Sequence, residues 1–516
     1  MPPHESSLHE RRDETADFGE PMRNPPQRES SLISADELAP TTASLLAAGF
    51  RLATVAAHDD TSALRVVYVF VAGPPDRRVE LQLRLDPTRP SVPSLGELSF
   101  PASRFEREMH DLFGIVPVGH PFLRPLVLHQ HWPIGWHPML HDASASPPMR
   151  TDSGPFPFVE VEGPGVYEIP VGPVHAGLIE PGHFRFSVVG ETILKMKARL
   201  WFTHRGIEKL FEGRYIEDAA SLAERISGDS AIGHNLAYCL AVEEASGIEV
   251  PEEAAQLRAL LLELERVYNH VADIGALCND VGFGLAQARA LTLRERLLRL
   301  NAEVTGHRLL RDAIVPGGAS LLRVPTSQEL TEITQRFEEL VGLADSNTVV
   351  MERFHGTAAL SRDDAIAMGT LGVVARASGV SMDARVAHPT ADLGEQFHLG
   401  CETAGDVHAR FLVRVGEVRT SLALIDGLSM QASALKVAAP RIARRGGSGI
   451  GIVEGWRGSI VHRVEVDRFG AITRCKIVDP SFLNWPALSV ALADTIVPDF
   501  PLANKSFNLS YAGNDL

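Results

Sequence analysis

The stretch that decides the fold is Glu252 to Leu277, EEAAQLRALLLELERVYNHVADIGAL. Leu257, Leu260, Leu261, Leu264, Val267 and Val271 recur at three- and four-residue spacing. Residues so spaced lie on one side of an α-helix, so the stretch predicts a long helix with a buried stripe. Ala288 to Leu309, Ser327 to Leu343 and Asp406 to Ile425 carry similar patterns. Long helices joined by short loops pack antiparallel in a bundle. Outward from the bundle, short strands are expected near Val166 to Ile169 and Phe184 to Val189. After Arg441 the pattern turns to β at Ile450 to Val453, Ser459 to Val466 and Ala471 to Val478, with Asp467 to Gly470 as a turn. A last helix, Trp485 to Ala493, precedes an irregular tail. Residues 164–516 therefore read as a mainly α large domain: a helical bundle with a small β portion contributed by both ends.

Residues 36–140 read as a small N-terminal α+β domain. Asp36 to Gly49 and Ala102 to Leu112 predict helices. Leu64 to Val71 and Val79 to Leu85 predict strands, divided by the turn signal Gly73-Pro74-Pro75-Asp76. Residues 141–163 are rich in Ser, Pro, Asp and Gly and read as a linker. Residues 1–35 are polar, with both charge signs, and read as a disordered tail. That tail lacks the apolar core of a secretory signal, and its acids argue against a mitochondrial presequence.

Composition narrows the function. The chain has 516 residues and a net charge of -16, which excludes a generally basic nucleic-acid binder and disfavours an anionic lipid surface. Its four cysteines, Cys239, Cys278, Cys401 and Cys475, form no CxxC pair. A disulfide scaffold, a zinc ribbon and a cluster held by this chain alone are therefore disfavoured, and a reduced compartment fits. No apolar run reaches the ~18 residues of a bilayer span.

Several stretches invite functional readings, each with a plainer alternative. Gly446 to Gly451 suggests a phosphate loop, but it lacks the Lys-Ser/Thr ending and precedes a strand. A flexible loop packed closely against a neighbour is the better reading, with Arg441, Arg444 and Arg445 as candidate anion contacts. His175 and His183 match no metal spacing. His204-Arg205-Gly206-Ile207-Glu208 puts a base, a cation and an acid within about one helical turn. It reads as a proton relay or as a solvated helix start. Glu243, Glu244, Asp273 and Asp280 lie in apolar helices and are either buried and paired or solvent-facing.

Two groups of motifs go further. Phe105-Glu106-Arg107-Glu108, Asp111 to Ile115, Gly119-His120-Pro121 and Leu123-Arg124 resemble the smaller peripheral-arm subunit of NADH:quinone oxidoreductase. Gly172 to His175, Glu180 to Phe186, His204 to Leu210, Glu265 to His270, Gly306 to Arg308 and Pro316 to Gly318 resemble the large subunit of membrane-bound nickel–iron hydrogenases of the formate hydrogenlyase type. That fold also serves in NADH:quinone oxidoreductase, where its cavity accepts quinone. The two parts fused in one chain resemble the formate hydrogenlyase large subunit in particular.

The resemblance also locates a loss. Nickel–iron members carry Arg-x-Cys-Gly-x-Cys and Asp-Pro-Cys-x-x-Cys. The matching stretches are Arg225-Ile226-Ser227-Gly228-Asp229-Ser230 and Asp479-Pro480-Ser481-Phe482-Leu483-Asn484. Ser227, Ser230, Ser481 and Asn484 thus stand at the four thiolate positions. Nickel–iron sites need soft thiolates, and neutral hydroxyls and an amide are poor substitutes, so no metal ligands and no nickel–iron centre are expected. In the quinone-reducing relatives a quinone-contacting tyrosine stands where Gly228 falls, and His175 matches a histidine of their strand loop. The implied pocket is lined by His175, His183, Arg225 and Asp479, with Glu208 as proton relay. Ser227, Gly228, Ser230, Ser481 and Asn484 would contact the occupant.

The resemblance implies a peripheral arm on the cytoplasmic face of a membrane, held there by partner subunits. Electrons would pass from an adjacent small iron–sulfur subunit to quinone or another small acceptor, coupled to ion translocation by antiporter-like membrane subunits. NADH, formate or ferredoxin would feed the complex through other chains. The alternatives are a non-catalytic structural subunit and a hydrogenase with unusual ligands. The purified native complex should contain no stoichiometric nickel by elemental analysis, and its infrared spectrum should lack bands of iron-bound CO and cyanide.

Overall fold

The structure is a computed structural model that describes residues 26–438 and 446–516. Arg441, Arg444, Arg445 and the chain before Pro26 lie outside the described residues. Helix accounts for 42% and strand for 20% of it, so the mainly α expectation is corrected to a mixed α/β architecture. The added strand comes from segments without an alternating apolar signal. Arg51–Asp59, RLATVAAHD, is one of them, buried over most of its length.

The N-terminal unit is a four-stranded sheet ordered Gln27–Leu32, Arg77–Leu85, Leu64–Ala72, Arg51–Asp59. Helix Phe100–Phe113 packs on strand Arg51–Asp59. The disordered tail expected through residue 35 is corrected here: Gln27–Leu32 forms a parallel edge strand on Arg77–Leu85. Its sequence QRESSL is almost entirely exposed, so backbone pairing rather than apolar burial holds it. Arg28 adds salt bridges to Glu80 at 3.0 Å and to Glu244 at 2.9 Å. Gly73 to Asp76 forms the turn between two strands as expected, with Ala72 paired to Arg77. From residue 119 to 165 there is no helix or strand, although Phe156 and Phe158 are anchored under Arg199 and Arg185.

In the large unit the bundle forms around Ala231–Ser246, Glu252–Asp280, Gly284–Thr305, Ser327–Asp345 and Val407–Gln431. Strands Val166–Val171, His183–Val189 and Thr192–Arg199 make one meander, and Gly447–Gly455, Gly458–Val466 and Ile472–Val478 make another. The tail read as irregular instead folds into helices Phe500–Phe507 and Tyr511–Asp515, and the chain from Tyr511 to Leu516 is buried.

Two contacts set the geometry of the bundle. The first is a glycine track. Gly447, Gly449 and Gly451 face helix Ala231–Ser246 so closely that a Cβ on each would overlap the backbone of Ala245, Ala241 and Ala237 respectively. The close-packing reading of this stretch holds, but the segment is a strand rather than a loop. The second is an ionic seam between the two longest helices. Glu263, Arg266, His270 and Asp273 share one face of Glu252–Asp280. They meet Ser421, Glu417 and Arg414 of Val407–Gln431, running antiparallel. Ser421 Oγ donates to Glu263 at 2.5 Å, Arg266 pairs with Glu417 at 3.3 Å, His270 with Glu417 at 2.8 Å, and Arg414 with Asp273 at 2.9 Å. All of these groups are buried.

The units are not separate cores. Val66 and Phe105 of the N-terminal unit belong to the same apolar cluster as Phe184, Ile450 and Phe482. Ion pairs cross the junction: the buried Arg463–Glu80 at 3.0 Å and Lys476–Glu108 at 2.8 Å, and the partly buried Arg65–Glu465 at 2.8 Å. Replacing Gly451 by Val should push the strand off its helix and destabilise the chain by about 1–3 kcal/mol. A lowered thermal midpoint checks this, and Gly400→Val, where a Cβ meets nothing, is the control.

Candidate functional site

The two ligand-equivalent segments, far apart in sequence, meet at helix N-termini. Ser227 to Ser230 leads into helix Ala231–Ser246, and Asp479 caps helix Pro480–Ala491 by accepting from the Ser481 N–H at 2.7 Å. The link between them is Ser510, from the C-terminal segment. Ser227 Oγ lies 2.8 Å from Ser510 Oγ, and the Ser510 N–H donates to Ser481 Oγ at 2.9 Å. Ser227 spends its only proton on Asp229, at 2.9 Å, so the Ser510 hydroxyl must be the donor between the two serines. Ser230 Oγ accepts from the Trp456 indole N–H at 3.1 Å. Asn484 turns away and pairs with the backbone of Leu371, at 2.9 and 3.1 Å. All four side chains are buried.

The C-terminus is held there by the motif at His204. His204 Nδ1 lies 2.7 Å from the Asp515 carbonyl. The Arg205 guanidinium donates to the Ile226 carbonyl at 2.7 Å, while the Arg205 backbone N–H donates to Leu516 O at 2.7 Å. One motif thus anchors both the serine loop and the chain end that fills the gap beside it.

The remaining expected residues divide. Asp479 is in the site: its carboxylate meets His234 Nε2 at 3.1 Å, and His234 Nδ1 lies 3.0 Å from His462 Nε2. Burial opposes ionisation of Asp479, but His234 and Arg457 outweigh it and hold its pKa below the usual value. Arg225 is not in the site. It is exposed and folds back onto the Ser221 carbonyl, and Gly228 beside it is exposed. The site's cation is Arg457, which grips Asp229 at 2.8 and 2.7 Å and stacks on Trp456 at 3.8 Å. His183 Nδ1 lies 3.2 Å from the Gly172 carbonyl, and its ring lies 5.5 Å from that of Phe158. His175 Nε2 lies 3.2 Å from the Tyr511 hydroxyl, one residue beyond Ser510.

Glu208 is not placed for proton relay. It is buried between Arg474 at 2.7 Å and Lys476 at 3.0 Å and accepts the Ile477 N–H at 2.9 Å. Burial alone would raise its pKa, but the two cations and the N–H bring it down to about 2. Three of the buried acids with raised pKa values are Glu106 and Glu224, each at about 7, and Glu265, which lies against the site helix. Burial pushes Glu265 up to about 8, although it accepts from Ile232 N–H at 2.7 Å and Gly233 N–H at 3.0 Å, at the start of the site helix. Glu265 lies in a motif legible in the sequence. Its role was not, because no pairing cation marks it.

Three hydroxyls and an amide, each already engaged within the protein, are a donor set that does not fit a nickel–iron centre. Cys239, Cys278 and Cys475 are buried elsewhere and Cys401 is exposed.

Comparisons with known proteins give this helical core and its paired loops a class, that of subunits of oxidoreductase complexes. Family models match residues 32–148 (respiratory-chain NADH dehydrogenase, 30 Kd subunit), 205–278 (nickel-dependent hydrogenase) and 280–444 (respiratory-chain NADH dehydrogenase, 49 Kd subunit). Formate hydrogenlyase subunit 5 of Escherichia coli (strain K12) is 31% identical, over 85% of this chain and 79% of its own. An NADH-quinone oxidoreductase subunit of Phocaeicola vulgatus is 31% identical, over 66% of this chain and 70% of its own. A chain of the membrane-bound sulfane sulfur reductase, an archaeal respiratory membrane complex, superposes with a TM-score of 0.61. It is 27% identical and aligns over 68% of this chain and 99% of its own. The chain belongs to the family of fused hydrogenase and NADH-quinone oxidoreductase large subunits.

The acids predict opposite pH behaviour. A raised folded pKa stabilises at low pH and is lost as pH rises through it, so Glu265 should cost stability between about pH 4.5 and 8. Glu265→Gln should flatten that slope in denaturant titrations across this range. Glu208→Gln should instead cost about 3–5 kcal/mol by leaving two buried cations underpaired.

Proposed function

We propose that the chain is an oxidoreductase subunit of a membrane-bound complex of the hydrogenase and NADH:quinone oxidoreductase type, working without a nickel–iron centre. In this reading it receives electrons from an adjacent iron–sulfur subunit and passes them to a quinone-class acceptor. It sits on the cytoplasmic face through membrane partners, whose ion translocation the electron transfer drives. Among the described residues no helix is long and apolar enough to cross a membrane, so attachment would come from those partners.

The observation that carries the reading is the Tyr511–His175 pair. Gly228 leaves the usual tyrosine position without a hydroxyl, and Tyr511 brings one to the loop histidine from the opposite end of the chain. Tyr511 is buried against Trp485, whose ring lies 5.0 Å away, while His175 remains partly open. A tyrosine hydroxyl and an imidazole can hydrogen-bond a quinone oxygen and supply protons. Reduction to quinol takes two electrons from the iron–sulfur subunit and two protons, one handed over by Tyr511 and restored from solvent through His175, the other taken up directly from solvent water. Val174 and Leu178, 82% and 102% exposed on the same loop, suit a lipophilic acceptor or partner.

The closed serine cluster favours a second reading, a structural subunit with no acceptor of its own. In the purified complex, Tyr511→Phe should lower quinone reductase turnover by about 100-fold while assembly is unchanged. Unaltered turnover would support the structural reading. Sulfane sulfur is the second acceptor to assay, given the substrate named for the structural relative.

A further inference from the structure

In a chain of net charge -16, four arginines gather with no salt bridge to a carboxylate among the described residues. Arg104 and Arg107 lie on helix Phe100–Phe113, Arg124 follows the His120 turn, and Arg199 ends strand Thr192–Arg199. Arg107 lies within the electrostatic reach of the other three. Its guanidinium donates only to the carbonyls of Arg124, at 2.8 Å, and Pro125, at 3.2 Å. Arg124 donates to Pro157 O at 2.6 Å, and Arg199 to Leu126 O and, at 2.9 Å, to Leu128 O.

The nearby acids are already committed. Both oxygens of Glu108 hold Lys476 at 2.8 Å. Asp111 accepts three backbone N–H groups, from Leu126 and Val127 at 2.7 Å and Leu128 at 3.2 Å. Arg104 is the extreme case. It is 7% exposed, its Nε and Nη2 are buried without a hydrogen-bond partner, and it rests on the rings of Phe482 at 4.7 Å and Trp201 at 5.7 Å. Burial and the neighbouring Arg107 press its pKa down to about 9, and burial brings Arg199 to about 10, since the more distant Glu108, Asp111 and Asp515 offset only part of the cost. An unpaired buried cation is costly, while a guanidinium fork suits planar or tetrahedral oxyanions.

We propose that Arg104, Arg107, Arg124 and Arg199 form an oxyanion-binding site, for a carboxylate or phosphate group entering beside the half-buried Arg107 and Arg124. The site lies where the two units join, and through Phe482 it abuts Ser481 of the serine cluster. An anion drawing Arg104 off Phe482 would therefore be felt at the start of the site helix. The anion site does not depend on which acceptor the complex uses.

The test is calorimetric titration of the full chain, alone and in its complex, with inorganic phosphate and with succinate at constant ionic strength. Saturable binding is expected. It should weaken about tenfold or more in Arg107→Gln and in Arg124→Gln, both partly exposed and tolerant of change, and also in Arg104→Leu. Arg299→Gln, on the far surface, should leave it unaltered. Binding in both settings identifies a free small anion. Binding to the isolated chain that is lost in the complex identifies a partner's carboxylate already seated there. No saturable binding in either setting, or binding indifferent to these arginines, overturns the proposal.

Discussion

The interaction on which most of the architecture depends is the buried ionic seam between helices Glu252–Asp280 and Val407–Gln431. An apolar seam of equal volume would hold two helices at least as strongly, since desolvating charges offsets much of their attraction. What charges add is register. Sliding one helix past the other by a turn would leave Glu417 without Arg266 and His270, and Asp273 without Arg414. That register reaches the site directly, because Asp273 also accepts from Asn508 at 2.6 Å, and Arg457 donates to the Asn508 carbonyl at 2.5 Å. The segment carrying Ser510 and Tyr511 is thus positioned from the middle of the bundle.

The serine cluster is held together by hydrogen bonds within the protein, with no metal ligand set among its side chains. The loops keep their places because backbone and neighbours hold them: Asp479 as a helix cap, Arg205 across the serine loop, and the glycine track under helix Ala231–Ser246. None of these needs a thiolate. Oxygen side chains in place of sulfur bring hydrogen bonds, and hydrogen bonds between buried hydroxyls must be mutually satisfied. The C-terminal segment meets that demand with Ser510 and in the same turn delivers a tyrosine to His175.

Four helices of the bundle were legible because of their apolar spacing and proline-free interiors; Ala231–Ser246, buried on nearly every side, carries no such one-sided stripe. The hairpin at Gly73 to Asp76 was legible from its turn chemistry. The edge strand Gln27–Leu32 was not, because it buries almost nothing and is selected by an unpaired neighbour. The C-terminal helices were missed for a related reason: each is short, and they are stabilised by packing on the site rather than by their own pattern. Ser227, Ser230, Ser481 and Asp479 were singled out through the resemblance, and the fold brings their two segments together at Ser510. Arg225 and Glu208 were misjudged, because spacing does not tell which way an arginine folds or how many cations surround an acid.

The sequence by itself determined the class of protein, through motifs that match a known family, and the long helices of the bundle, through their apolar spacing, since both depend on local pattern. Only the tertiary structure decided that Ser510 joins the two loops, that Arg457 pairs with Asp229, that Glu208 lies between two cations while Glu265 accepts only backbone N–H groups, and that four arginines have no salt bridge among the described residues. Those are facts about which side chains meet and how much water they keep, and a linear order of residues does not contain them.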